Sequence, residues 1–425
     1  MIRSAAPLVN TALRVGTLGT RFALVFVLAK YLDAASVGYY GLFTAAIGYA
    51  LLLFGLDLYT YTTREIAKVG ADRQGALLKG QAALVGLLYL GLAPVVLLVL
   101  WRTELPAHLV WWFLPILVLE HLNQELYRLL IILSRQVAAS VLLFLRQGSW
   151  ALAAAGTMAL SQESRSLDVV LLLWAGAGII AAAAGVWKLH KLGLGGWREP
   201  VDWAWIRRGL VVSSTFLAAT LAVRAVQTID RYWLENLAGI DVVGAYVLFF
   251  GVASALSVFL DAGIFSFYYP KLIQQANQSR FSDLHATVRK TALLALGACL
   301  GFALVSSLLL PVLLNWIGRD VYHAQIGLYY WVVAAMIAYL LSMVPHYALY
   351  AQGRDRPIVA SHLASLVVFA AATLAMTAVS RTYAVPVGVF TAMTMVLLWK
   401  TAVYVKISRH HARKGEAPNL ESGLT

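Results

Sequence analysis

The apolar residues of this chain fall in blocks of about 20 separated by short polar breaks, and about 20 residues is the helix length that spans a hydrocarbon core. Nothing constrains the fold more. Inside a bilayer no water satisfies backbone N–H and C=O groups, so each block must be a helix or part of a closed barrel. Blocks this long, without alternation, read as helices. Only 12% of the residues are charged, whereas a soluble domain averages about a quarter. The blocks predict an all-α polytopic membrane protein with twelve transmembrane helices in two six-helix lobes. Residues 1–187 form an N-lobe, 188–209 a cytoplasmic inter-lobe linker with an interfacial helix, 210–406 a C-lobe and 407–425 a basic cytoplasmic tail. No cleavable signal peptide is expected, because the first apolar block is too long and too charged for one.

The formal net charge is +13, which in a soluble protein would point to nucleic acid. Here the charge tracks topology. With the N-terminus inside, 22 Lys and Arg, Lys400 among them, fall on cytoplasmic segments or span ends, against six on the other side. That asymmetry places both termini in the cytoplasm. The single cysteine, Cys299, permits no intramolecular disulfide, and no Cys/His spacing points to zinc, so neither metal nor cofactor is expected. No G-x-x-x-x-G-K-[ST] segment is present, which removes a P-loop ATPase from consideration.

The halves look repeated. LAKYLDAASVGYYGLF, from Leu28, lies on LENLAGIDVVGAYVLF, from Leu234, so that Gly38 meets Gly244 and Tyr40 meets Tyr246. An even number of spans in each half makes the repeats parallel, related by a pseudo-two-fold along the membrane normal. A longer cytoplasmic loop, Phe267–Lys290, is expected in the second half. In the linker, Trp197, Trp203 and Trp205 stand among Lys and Arg, and Asp202 is placed to cap the following helix.

Five arginines, Arg14, Arg21, Arg128, Arg146 and Arg224, fall inside predicted spans. Each would cost about 2.5–3.5 kcal/mol at the centre of a bilayer, so they must face protein or water. Arg14 and Arg21 are two helical turns apart and share a face, and the repeat alignment puts Arg224 on the same face of the opening helix of the second half. Asp57 lies level with Arg14 and is a candidate partner for it. The fourth block, ILVLEHLNQELYRLLIIL, carries Glu120, His121, Glu125 and Arg128 and reads as a spanning helix with one wet face. Two readings of Glu125 and Arg128 stay open: an intrahelical pair locking two helices, or part of a functional cavity. Arginine offers a permanently charged planar fork suited to phosphate, so a cavity rich in it selects an anionic head group.

The stretches KYLDAASVGYYGLF, TIDRYWLENLAGIDVVGAYVLF, YYPKLIQQANQSRFSDL, GRDVYHAQIGL and AQGRDRP resemble the multidrug/oligosaccharidyl-lipid/polysaccharide (MOP) flippase superfamily, and within it the Wzx-type polysaccharide (O-antigen repeat unit) flippases. The resemblance implies two lobes in a V around a central cationic cavity. It implies a flippase carrying undecaprenyl-pyrophosphate-linked oligosaccharide from the cytoplasmic to the outer leaflet of the bacterial inner membrane by alternating access. The polyprenyl tail would stay in membrane lipid. Arg14, Arg21 and Arg224, with Arg128 and Arg146, become the head-group ligands. Glu120, His121, Glu125 and Asp57 become candidates for H+ or Na+ coupling or for gating. Polysaccharide polymerase and chain-length proteins are the implied partners, and nucleic acid is not. A cation-coupled multidrug exporter of the same superfamily, or a membrane glycosyltransferase or ligase using the same lipid carrier, are the competing readings. The short outer loops disfavour the enzyme, and the arginine excess disfavours the exporter.

Overall fold

The structure is a computed structural model in which residues 2–415 are described, without the side chains of 2–7, 215, 216 and 410–415. The described chain is mostly helical, broken by short turns and by the non-helical stretch 191–202. In the first half the helices are α1 (Ile2–Tyr31), α2 (Ala34–Gly55), α3 (Tyr59–Ile66), α4 (Ala71–Trp101), α5 (Ala107–Ile132), α6 (Gln136–Leu143), α7 (Trp150–Leu160) and α8 (Leu167–His190). The second half contains α9 (Trp203–Ala238), α10 (Ile240–Leu260), α11 (Ser266–Asn277), α12 (Phe281–Ile317), α13 (Asp320–Ala324), α14 (Ile326–Ala351), α15 (Asp355–Thr377) and α16 (Arg381–Gly415). Two π-helical turns, Phe144–Ser149 and Asp261–Phe265, join α6 to α7 and α10 to α11 without a break.

Among the described residues ten helices are long and apolar enough to cross a membrane, or eleven if Trp203–Ser214 and Leu217–Ala238 form one bent span. The 26-residue α5 is not among them, because Glu120, Glu125 and Arg128 interrupt its apolar run. Its length is nonetheless that of a span. Counting α5 with the eleven gives the twelve expected from the sequence.

The chain packs as two compact units. One comprises Met1–Arg224 with Gly239–Leu248; the other comprises Ala225–Ala238 and the chain from Phe249 onward. In the first, α5 packs on α2 and α8, while α1 lies along α6, the π turn and α7. In the second, α16 lies against both α14 and α15, and α12 packs on α11 and α14.

The glycines matched by the repeat alignment meet reciprocally within the first unit. A Cβ at Gly38 would run into the carbonyl of Ile240, and a Cβ at Gly244 would run into the carbonyl of Ala34. The first turns of α2 and α10 therefore touch backbone to backbone. Asp33 caps α2 by accepting the Ser36 N–H at 2.7 Å, which fixes where that helix starts.

The linker is helical only from Trp203 onward. Residues 191–202 are turns and extended chain laid on α4: Gly75 N–H donates to the Gly195 carbonyl at 2.8 Å and Gly195 N–H to the Ala71 carbonyl at 2.7 Å. Gly195 and Gly196 allow this approach, the latter with φ +85°. The helix begins at Trp203, and Asp202 caps it as its position predicts, accepting the Trp205 N–H at 2.9 Å. Trp205 turns inward to 6% exposure against Tyr61, while Trp197 and Trp203 stay exposed. The loop expected at Phe267–Lys290 is instead mostly helix. Its break at Gln278–Arg280 turns on Ser279 (φ +57°), with Arg280 N–H closing onto the Gln275 carbonyl. The same turn recurs at Ser134–Arg135 and Gly353–Arg354.

Gly244→Val places side-chain carbon where the Ala34 carbonyl lies, and overpacking of this kind costs about 1–3 kcal/mol. We expect Gly244→Val and Gly38→Val each to lower the melting temperature of the solubilised protein, whereas Gly86→Val, at a glycine with nothing within 4 Å, leaves it unchanged.

Candidate functional site

Helix α5 carries polar groups on two faces rather than the single wet face its sequence suggests, because Glu120 and Glu125 are five residues apart and about 140° around the helix. On one face Glu120 is buried at 6% exposure. Its Oε2 accepts from Arg146 Nε at 2.6 Å and lies 2.5 Å from an Arg146 terminal nitrogen, while its Oε1 accepts from Trp174 Nε1 at 2.7 Å. The Trp174 ring stacks on Trp150 at 5.0 Å, and Trp150 Nε1 donates to the Arg146 carbonyl. Arg146 sits on the first π turn, whose widened register carries its guanidinium to α5. A turn further on, Asn123 donates to the Gly178 carbonyl of α8 at 2.9 Å. This cluster joins α5, the π turn and α8. Arg146 is occupied by Glu120 and braces helices rather than facing a cavity.

The other face of α5 lines a cavity of about 830 Å³ formed with α3 and α4. Leu78, Val85, Leu114, Val118 and Leu122 make apolar walls. At its polar side Glu125 accepts from Gln81 Nε2 at 2.7 Å and from Arg128 at 2.6 Å. The Arg128 guanidinium also stacks 3.4 Å over the Tyr59 ring. His121 Nδ1 lies 3.3 Å from the Tyr89 hydroxyl. The intrahelical pair is thus present and borders a cavity.

Arg14 does not reach Asp57. Its Nε donates to Ser140 on α6 at 3.2 Å, and Ser140 in turn bonds Asn10. Asp57 occupies the turn after α2 at φ +51°; its carbonyl accepts from Thr60 and Ser213, and among the described residues its carboxylate makes no ion pair. Arg21 is exposed on α1, and Arg224 is exposed on α9. The elements named as ligands therefore separate into two carboxylate-paired arginines, Arg128 and Arg146, and three on α1 and α9.

Sequence reading missed one cluster. Lys400 is wholly buried in α16, with Nζ between His362 of α15 and His346 of α14. The signal was a lysine and two histidines inside apolar blocks, but Lys400 lies near a span end and was assigned to the cytoplasmic side. Among the described residues no group of three His, Cys, Asp or Glu side chains is placed to hold a metal.

No family model matches the sequence, and no curated protein matches it. Solved structures do match the fold. An inward-facing MATE-family multidrug resistance transporter of the MOP superfamily aligns over 93% of this chain and 95% of its own, with TM-score 0.70 and 10% identity. The lipid II flippase MurJ, inward closed, aligns over 96% and 91%, with TM-score 0.67 and 11% identity. A variant of the Vibrio cholerae MATE transporter VcmN aligns over 96% and 98%, with TM-score 0.57 and 14% identity. The fold of this chain is the one these three structures share.

Removing one partner of a buried pair leaves an uncompensated charge, at a cost of about 3–5 kcal/mol, whereas replacing both with apolar residues is often near neutral. Glu120→Leu and Arg146→Leu singly should therefore sharply lower the melting temperature. The double variant should recover most of the loss; equal losses in all three would contradict the brace.

Proposed function

We propose that the protein is a flippase that moves a polyprenyl-pyrophosphate-linked oligosaccharide, the undecaprenyl carrier being the chemistry meant, from the cytoplasmic to the outer leaflet of a bacterial inner membrane. It is a transporter rather than an enzyme. The observation that carries this reading is on α1. That membrane-crossing helix bears Arg21, exposed, and Arg14, bonded to the neutral Ser140 rather than to a carboxylate. A permanent cation with a neutral partner retains its attraction for an anion. Arg224 adds a third positive charge near the start of the second half. In this reading the pyrophosphate binds these arginines, the oligosaccharide travels in water-filled space and the polyprenyl tail stays in lipid. The kinship of fold with a lipid II flippase supports the substrate class. Both termini face the cytoplasm, as the distribution of Lys and Arg implies. Polysaccharide polymerase and chain-length proteins are the partners proposed downstream.

A second reading, a lipophilic-drug exporter, is favoured by one observation: the cavity beside α5 is mostly apolar, with Glu125 at its polar edge. The two readings part on the sign of the ligand.

A charge-assisted hydrogen bond contributes about 1.5–3 kcal/mol, which corresponds to roughly 10- to 100-fold in affinity. Native mass spectrometry with a polyprenyl-pyrophosphate trisaccharide should show saturable binding that falls about tenfold or more in Arg21→Gln and Arg224→Gln. Binding of a lipophilic cation instead, unaffected by these changes and lost in Glu125→Gln, would favour the exporter.

A further inference from the structure

The buried cation of the second unit is compensated differently from that of the first. Lys400 is 0% exposed, with Nζ 2.8 Å from Nε2 of His362 and 3.2 Å from Nδ1 of His346. The two imidazole rings stack at 5.8 Å and 20°. The titratable groups around them come from every helix packed there. Helix α14 brings Tyr347, whose ring is 5.7 Å from that of His346, and α16 brings Tyr404, one turn beyond Lys400. Helix α12 brings His285, bonded to the Tyr404 hydroxyl at 2.7 Å. Asp261 on the second π turn and Tyr269 on α11 act on Tyr347; Asp355 lies at the start of α15. Among the described residues no carboxylate forms an ion pair with Lys400.

An ammonium has three donors and no acceptor, while a neutral imidazole has one acceptor nitrogen. Lys400 as an ammonium therefore donates to both rings, each carrying its own proton on the far nitrogen. After loss of one proton, the amine accepts from one ring and donates to the other, with a change of tautomer in the ring that donates. Both states keep the cluster hydrogen-bonded. A further proton would set two cations about 3 Å apart, which like-charge repulsion opposes. The cluster thus exchanges one proton without coming apart. Arg146 differs in both respects: a guanidinium stays charged, and it has Glu120 beside it.

We propose that Lys400, His346 and His362 form a one-proton binding site in the second unit, taking up a hydron from water and releasing it once per transport cycle. The coupling half of this proposal rests on the transporter reading; the proton site does not. It moves the coupling ion away from Glu120, which is locked to Arg146 and Trp174.

The test uses full-length protein in lipid nanodiscs. Bound protons are counted by difference titration between roughly pH 5 and pH 9, comparing wild type with Lys400→Arg, alongside His362→Gln in case Lys400→Arg does not fold. Transport of a fluorescent polyprenyl-pyrophosphate trisaccharide is then driven in proteoliposomes by an imposed pH gradient. We expect wild type to exchange one proton more than Lys400→Arg, whose fixed cation stays beside both imidazoles, and the gradient response to vanish in that variant. Arg21→Gln should lose lipid binding yet keep the proton. No proton difference overturns the site. A proton difference with a gradient response that survives in Lys400→Arg overturns the coupling. A proton difference in a wild-type protein that moves no such lipid leaves the site standing and removes the flippase reading.

Discussion

A hydrocarbon environment tolerates neither an open backbone hydrogen bond nor a lasting unpaired charge, and every element of this protein follows from those two prohibitions. The first makes the described spans helical, and tight turns on Ser134, Ser279 and Gly353 return the chain between them within a few residues. The second decides which helices adjoin. Glu120 needs Arg146 and Trp174, so α5 must lie between the π turn and α8. Asn123 reinforces that choice from one turn away.

Much of this is legible in the sequence, because block length and charge placement are themselves consequences of the membrane. The spans, the cap at Asp202 and the correspondence of Gly38 with Gly244 can all be read from residue order. What escapes is any property that depends on which way a helix is turned. Glu120 and Glu125 look like one polar stripe until their angular separation is weighed, and Arg128 bridges the gap in the string of letters but not in space. The π turn at Arg146 adds rotation that no apolar period reports. Lys400 reads as an end-of-span lysine of the common snorkelling kind, and only the packing of α14 and α15 around it shows that its amine is enclosed.

The two units handle polar burial in contrasting ways. The first uses a permanent ion pair framed by stacked tryptophans, and also borders an apolar cavity with a second carboxylate–guanidinium pair on α5. The second uses nitrogen bases that share a proton, in a helix trio centred on α16. Repetition of the backbone plan therefore did not carry repetition of the chemistry. A fold shared with both drug transporters and a lipid flippase is compatible with such divergence, since the fold sets the helix frame and the side chains set the chemistry.

The placement of these buried groups along the chain also bears on how the protein is made. In each unit the acceptors are synthesised before the cation: Glu120 precedes Arg146, and His346 and His362 precede Lys400. Helix α5 enters the membrane carrying a carboxyl group whose partners arrive with the next two spans, so its insertion and theirs are bound into one assembly step. Helix α16 is made after α14 and α15, so it meets a pair of imidazoles already in place, and its insertion buries a single amine between them.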